Sequence, residues 1–403
     1  MSTMCEGMTR LLYETDPYLN KFDSTVVRTQ GEWVVLDRTA FFPGGGGQDA
    51  DTGWIGGLRV IEVRSQGEDL LHRVPGHGFA PEERVDCQLD WERRHDLMRG
   101  HTGEHLLFSI LSRINPDLEL VKIAITPAKK SLIVKGEVGW PLLSMAQAEA
   151  NDAIAAQLPI SEVWVSKESD LIKDVRIKVE RIHGDKVRIV KIGEIDKAAC
   201  AGVHVQNTRE LRMLLVTNLT SARPAGDFEI EFETGRQAMQ TSLRLSSVGL
   251  QASDAIKAQP EDLVNAITNL KGQVQVMREA LKGYGKQALR RMEPEKMEGV
   301  RVYCGAFEGL DKKTLVDAAN DLVRYDRSAV VLATLDERLT LIVATSKDLD
   351  VDCREVLTDG LKVAGGKGGG GRNFASGGAI STQRAAEVID AARSSLMSRL
   401  SCK

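Results

Sequence analysis

Disulfide chemistry, a membrane span and a charge excess are all missing from this sequence. Its 403 residues hold six cysteines, scattered along the chain, and only Cys200 has a partner at metal-ligand spacing. Scattered cysteines argue against a disulfide-stapled secreted fold and point to a reducing, cytoplasmic setting. No apolar run is long enough to cross a bilayer. The opening residues lack the basic-then-apolar order of a secretory signal, so none is expected. A formal net charge of −4 does not advertise nucleic-acid binding through bulk charge. Lys129 and Lys130 form a local basic pair, which reads as a solvated one. Hydrophobic content is ordinary at 42%, so a chain of this length can build two or three domains, each with its own core.

The most informative residues form two pairs. His101 and His105 stand four apart in RGHTGEHLLFSIL, and Cys200 and His204 stand four apart in KAACAGVHVQN. Three imidazoles and a thiolate are a full ligand set for tetrahedral Zn²⁺. The i, i+4 spacing puts both histidines of the first pair on one helix face. Leu106, Leu107, Ile110, Leu111 and Ile114 continue that helix, and Asn115-Pro116 is its stop. Cys200 and His204 flank Gly202 after a strand, so this pair reads as a tight loop. The two pairs lie far apart in sequence and must converge in space to bind one ion.

The remaining pattern is α+β. Up to about Arg84, short β-branched runs at Ser24–Gln30, Trp33–Leu36 and Leu58–Arg64 are divided by glycine and suggest a small β-barrel. Alternation is imperfect at Val60-Ile61. From 85 to 233 helix and strand mix, with a second helix from Pro141 to about Gln157. Strands are expected at Glu162–Lys167, Val187–Ile192, Met213–Thr217 and Phe228–Glu233. From 234 to 295 two helical runs are broken at Gln259-Pro260 and read as an antiparallel hairpin, a spacer or a dimer seam. From 296 to 403 the pattern returns to α/β, with strands at Val300–Tyr303, Ala329–Leu332 and Leu339–Ala344. Helices are expected there at Thr314–Val323 and Thr382–Leu400.

Two glycine runs invite a ligand. Gly44 to Gly47 precede Gln48, a donor and acceptor beside backbone that no Cβ shields. Gly366-Lys367-Gly368 and Gly371 spell a formal G-x-G-x-x-G, but it follows a helix rather than a strand. As a loop, its Lys367 and Arg372 suit a phosphate backbone. His101-Thr-Gly-Glu104-His105 also spells H-x-x-E-H, a peptidase signature with Glu104 as general base. That class takes a carboxylate as third ligand, whereas here a Cys-x3-His pair is on offer.

Together these segments resemble the AlaX-type alanyl-tRNA editing proteins in their long form. LDRTAFFPGGGGQDADTG, LDWERRHDLMRGHTGEHLL, the CAGVHV loop and GGKGGGGRNFASGG are each similar to a family motif, and they span nearly the whole chain. The resemblance implies a zinc-containing editing domain over 85–233 behind the barrel. It implies a C-terminal domain of the kind associated with DHH phosphoesterases, although no DHH triplet occurs. His101, His105, Cys200 and His204 match the zinc ligands, and Gln48 matches the editing-pocket loop. Thr39 matches the hydroxyl that senses a seryl side chain. Phe42, Gly44 and Val203 depart from the family residues, and Val203 lies beside a ligand. The implied activity is zinc-dependent hydrolysis of seryl- or glycyl-tRNA-Ala, with no aminoacylation core. A homodimer through the hairpin or C-terminal domain is one reading of the paired helical runs, and a helical linker packed on itself is the other. Zinc would either activate water or orient substrate. Threonyl-type editing, an H-x-x-E-H metallopeptidase using Glu104, and a non-catalytic tRNA-binding protein stay open.

Overall fold

A computed structural model describes residues 9–172, 175–176, 185–325, 327–335, 338–380 and 382–401. The chain divides into two compact units, Met1–Gly249 and Leu250–Lys403. Among the described residues no helix is long and apolar enough to cross a membrane.

The first unit opens with a seven-stranded antiparallel sheet. Its order is Leu58–Val60, Gly53–Ile55, Arg84–Leu89, Lys21–Gln30, Trp33–Leu36, Asp69–Arg73, Glu62–Gln66. The two edge strands are consecutive in sequence, so the sheet is a nearly closed barrel. Ile61 separates them and is exposed, which explains the broken alternation of that run. Val26, Val34, Leu36, Phe41, Ile55 and Leu89 fill the interior. The barrel runs to Leu89, past Arg84, because Arg84–Leu89 pairs with both Lys21–Gln30 and Gly53–Ile55.

Helix α1, Trp91–Ile114, follows at once, with Asp90 accepting from the Arg93 amide at 3.4 Å as its N-cap. It is buried on nearly every side from Leu97 to Leu111, as a helix through the middle of a domain must be. Around it pack α2 (Trp140–Ala155) and a four-stranded antiparallel sheet. The sheet order is Glu119–Ile125, Lys130–Lys135, Asp227–Thr234, Leu214–Ser221. A second antiparallel sheet orders Ile160–Ser166, Lys186–Ile192 and Asp196–Ala199. Lys129 and Lys130 are not a solvated pair. Lys130 is buried and meets Asp96 at 2.7 Å, and Lys129 reaches Glu229 at 2.8 Å and Glu231 at 3.0 Å.

One ion pair clamps α1 to the barrel. Arg94 and Asp51 are both buried, with Arg94 Nε 2.9 Å from each Asp51 oxygen. Arg94 also donates to the Pro17 and Ala40 carbonyls, and Asp51 accepts from the Phe42 amide at 2.7 Å. Removing one partner strands the other charge in the interior. Asp51→Ala is therefore expected to cost about 3–5 kcal/mol, measured as a fall in the urea midpoint at constant slope.

Helices α3 (Gly235–Ile256) and α4 (Leu263–Arg290) stand where the two helical runs were expected, separated by the turn at Pro260–Asp262. Their periodic positions Leu245, Val248, Ile267, Leu270, Val274 and Met277 are exposed.

The second unit holds a six-stranded mixed sheet in the order Glu295–Met297, Val300–Phe307, Ser328–Leu335, Leu339–Thr345, Phe374–Ala379, Lys367–Gly370. Val300–Phe307 and Ser328–Leu335 run parallel through α5 (Lys312–Leu322). Period-two alternation sends Val330 and Leu332 to the α5 face. Val331 and Ala333 go to the opposite face, under α6 (Cys353–Lys362) and α7 (Ala385–Ser401). Burial on both faces is why these strands read as continuous apolar runs. The Gly366 to Gly371 run is a hairpin strand here, not a loop. Lys367–Gly370 pairs with Phe374–Ala379, and a Cβ on Gly368 would lie 2.6 Å from Gly377 Cα and 2.8 Å from Leu357. The glycines let α6 sit close against the sheet edge.

Candidate metal centre

Helix α1 delivers His101 and His105 to one side, one turn apart, and the loop after Asp196–Ala199 delivers Cys200 and His204. Their ligand atoms all lie within 4.8 Å of one another. Cys200 Sγ is 3.5 Å from His101 Nε2 and 3.3 Å from His204 Nε2. Tetrahedral zinc with ordinary Zn–N and Zn–S bonds sets that edge at about 3.6 Å, so the spacing fits.

The opposite edge of each ring is fixed by the protein. His101 Nδ1 meets Gln48 Oε1 at 2.7 Å, His105 Nδ1 meets Asp196 Oδ2 at 2.7 Å, and His204 Nδ1 meets Thr102 Oγ1 at 3.2 Å. Gln48 Oε1 and Asp196 Oδ2 can only accept, so those two rings donate from Nδ1 and turn Nε2 toward the cluster. Second-layer partners of this kind orient ligands and set their basicity at metal sites. Arg176 supports Asp196 at 3.2 Å. Arg188 ties the loop down, donating to the Cys200 carbonyl at 3.1 Å and the Gly202 carbonyl at 2.5 Å. The Gly202 amide donates to Cys200 Sγ at 3.4 Å.

Electrostatics agree. Burial alone would raise the Cys200 thiol, yet the surrounding His101, His204 and His105 hold it well below its usual range. Burial likewise opposes ionisation of Asp196, but His105 and Arg176 keep its carboxyl low. Burial pushes His204 down, toward the neutral form a metal needs. The residues present thus fit a soft-to-borderline divalent ion with one thiolate and three imidazoles.

The other expected site residues sit as follows. Gln48 is inside the cluster's support, and its Oε1 also accepts from the Val203 amide at 3.2 Å. The glycines before it approach protein, not open space: a Cβ on Gly47 would lie 2.6 Å from the Ile123 carbonyl oxygen. Glu104 is buried with no hydrogen bond to either oxygen, 3.9 Å from His105 Nε2. Beside His101 and His105 the converging ligands are Cys200 and His204, where the H-x-x-E-H peptidases use a carboxylate. Thr39 is buried in the barrel, where it meets His72 Nε2 at 2.9 Å and accepts from the Phe41 amide at 3.2 Å. Burial lowers His72 to about 4. A neutral ring with Nδ1 on the Val34 carbonyl, at 3.2 Å, leaves Nε2 to accept the Thr39 proton. Arg372 pairs with Asp350, and Lys367 is exposed at the hairpin edge. Asp196, Thr102 and Arg188 were not read from the sequence. Asp196 lies four residues before Cys200, but an acid at that offset carries no signal of its own.

The family of the threonyl and alanyl tRNA synthetase second additional domain matches residues 187–227, the strand and loop that bring Cys200 and His204. The alanyl-tRNA editing protein AlaX-L of Pyrococcus horikoshii is 28% identical over 415 residues, covering 98% of this chain and 100% of that one. The chain resembles the long-form AlaX editing proteins from end to end. The alanine–tRNA ligase of Ignicoccus hospitalis is 28% identical over 403 residues, covering 97% of this chain. That of Thermotoga maritima is 26% identical over 372 residues, covering 89%. The chain spans 43% of the length of each of these ligases. Among solved structures, the C-Ala domain of Aquifex aeolicus alanyl-tRNA synthetase covers 27% of this chain and 99% of its own, at 25% identity and a TM-score of 0.25.

Proposed function

We propose that this protein is an aminoacyl-tRNA deacylase that acts in trans on mischarged tRNA-Ala, with one Zn²⁺ held by His101, His105, Cys200 and His204. The observation that supports it most is the convergence of those four side chains, each imidazole fixed from behind, in a chain similar to AlaX-L over its full length. The need for such an enzyme is physical. An alanine pocket cannot exclude the smaller glycine, and an apolar pocket rejects an added hydroxyl only about 10²-fold. A second site must then remove the errors.

The reaction is hydrolysis of the ester between the amino acid and the terminal ribose: water adds to the carbonyl carbon and the ribose oxygen leaves with a proton. His101, His105, Cys200 and His204 would hold the zinc ion, which would supply Lewis acidity to activate water or else orient the aminoacyl end. Gln48, Asp196 and Thr102 hold the three rings rigid, so the site does not reorganise as substrate enters. Glu104 is the buried carboxylate beside the cluster; it takes up the proton that the attacking water loses as it adds to the carbonyl carbon and returns it to the departing ribose oxygen. Cytoplasmic translation fidelity is the setting of this reading. Lys367 and Arg372 on the hairpin edge contribute to tRNA binding, and the exposed stripes of α3 and α4 are the surfaces for a homodimer.

In this reading Thr39 discriminates serine from alanine. Its proton goes to His72, so it offers the substrate β-hydroxyl a lone pair. Thr39→Val is expected to lower the rate ratio of seryl- to alanyl-tRNA hydrolysis about tenfold, the value of one hydrogen bond. An unchanged ratio would confine Thr39 to holding His72.

The test of the function is a deacylation assay on tRNA charged with serine, glycine, alanine and threonine. Rapid release of serine or glycine from tRNA-Ala, with alanine spared, is the expected pattern. Preference for seryl-tRNA-Thr would move the chain to threonyl-type editing, and no release from any of them would end the deacylase reading.

A further inference from the structure

Away from the metal centre, a cavity of about 460 Å³ opens beside the N-terminus of α3. Arg99, Arg212 and Arg236 line it, against the acids Glu92 and Asp96. Asp96 is already taken by Lys130 at 2.7 Å and Arg99 at 3.6 Å. With Lys130 counted, cations outnumber acids by two to one. Arg212 and Arg236 are exposed, and among the described residues neither has an ion-pair partner. Arg212 also holds a φ of +55°, a left-handed conformation uncommon for a bulky side chain. Strain of this kind persists where something else demands the geometry.

The wall of the cavity contains an unmet donor. Thr234 is 2% exposed, and its hydroxyl has no hydrogen-bond partner; the Arg99 Nε is likewise buried and unpaired. Buried polar groups are paired as a rule, so an orphan hydroxyl on a cavity wall points to a ligand. Residues 236 and 237 form the first turn of α3, whose leading N–H groups have no acceptor inside the helix. Guanidinium forks, a hydroxyl and a helix N-terminus are together the chemistry that recognises a phosphate dianion or diester.

We propose that this cavity binds a backbone phosphate of the RNA substrate, which rests on the reading of the chain as a tRNA deacylase. The exposed Arg212 and Arg236 meet the strand at the mouth, and Thr234 with Arg99 meets a phosphate oxygen inside. The site lies in the same unit as the metal centre and supplies local positive charge that the overall balance of −4 hides.

The experiment measures binding of uncharged tRNA-Ala to the full chain over a range of salt concentrations. Arg212→Gln with Arg236→Gln is expected to raise Kd about tenfold at fixed salt and to flatten the log–log salt slope by about one to two, one per lost phosphate contact. Thr234→Val is expected to raise Kd while leaving the melting temperature equal or higher, because the hydroxyl it removes satisfies nothing in the protein. A purely structural Thr234 would instead lose melting temperature and keep its Kd, which overturns the proposal. An unchanged Kd and slope in the double variant also overturns it. Inorganic phosphate binding lost in that variant, with tRNA affinity intact, assigns the cavity to a free anion and overturns the backbone assignment. Deacylation is scored separately. Weakened tRNA binding in a protein that hydrolyses no charged tRNA would uphold the cavity and sink the deacylase. Hydrolysis with unaltered binding in the double variant would do the reverse.

Discussion

Gly202→Ala is expected to empty the metal centre and to abolish deacylation while the barrel stays folded. A methyl group at this position would lie 2.2 Å from His101 Cε1, 2.4 Å from His101 Nδ1 and 2.9 Å from Gln48 Oε1. None of these can yield cheaply. His101 is held on α1 by a buried helix, and Gln48 is held by both His101 and the Val203 amide. The loop cannot retreat either, because Arg188 grips the carbonyls of Cys200 and Gly202. The clash therefore swings His101 out of the ligand set and breaks its bond to Gln48 in one step. Loss of an outer partner alone costs a metal site about 10–100-fold, so displacement of a ligand together with its partner is expected to exceed about 100-fold. Metal content of the purified variant and its rate on seryl-tRNA-Ala check this. A variant with full metal and ordinary rate would mean that the loop is looser than the Arg188 bonds imply.

Cys200→Ala is expected to have an equally large effect by a different route. The substitution adds no bulk. It removes the thiolate, leaving three imidazoles around a small gap; the His101 and His204 ring centroids are 4.5 Å apart. Three imidazoles still bind zinc in other sites, so some affinity should survive, but without the thiolate the fit to a borderline-soft ion falls. We expect metal to be lost on dialysis and the rate to fall at least about 100-fold. Cys200→Ser keeps the shape but supplies a poor ligand and should behave like the alanine variant. Full zinc in Cys200→Ala would remove Cys200 from the site.

The site was more legible in the sequence than the fold around it, and the reason is local. His101 and His105 needed only a helix, and α1 is marked in sequence by its apolar run from Leu106 to Ile114 and its Asn115-Pro116 stop. Cys200 and His204 needed only the turn that Gly202 allows. What joins the pairs is tertiary and left no periodic trace: Asp196 behind His105, Thr102 behind His204, Arg188 across the loop. Gln48 was read as a group for the substrate, and its carbonyl oxygen holds His101. The glycines before it serve a close approach of chain to chain at Ile123. In the barrel, Trp33–Leu36 was plain, whereas Gly53–Ile55 is too short to carry a pattern. The strands Glu119–Ile125 and Lys130–Lys135 were missed although Ile123 and Ile125, Leu132 and Val134 alternate. The charged residues between them read as solvent-facing, and Lys130 in fact runs inward to Asp96. The glycine run at 366–371 misled because glycine signals a turn in sequence but serves here to let α6 close on a sheet edge.

The measurement that bears most directly on the central claim couples metal to reaction in one protein. Full-length chain is assayed on seryl-tRNA-Ala as purified, after chelation, and after one equivalent of zinc is returned. The account predicts one zinc per chain, loss of hydrolysis on chelation, and recovery with added zinc in the unaltered protein but not in Gly202→Ala. Hydrolysis that persists at full rate in the stripped protein would contradict it, since the four converging side chains would then have no part in the reaction.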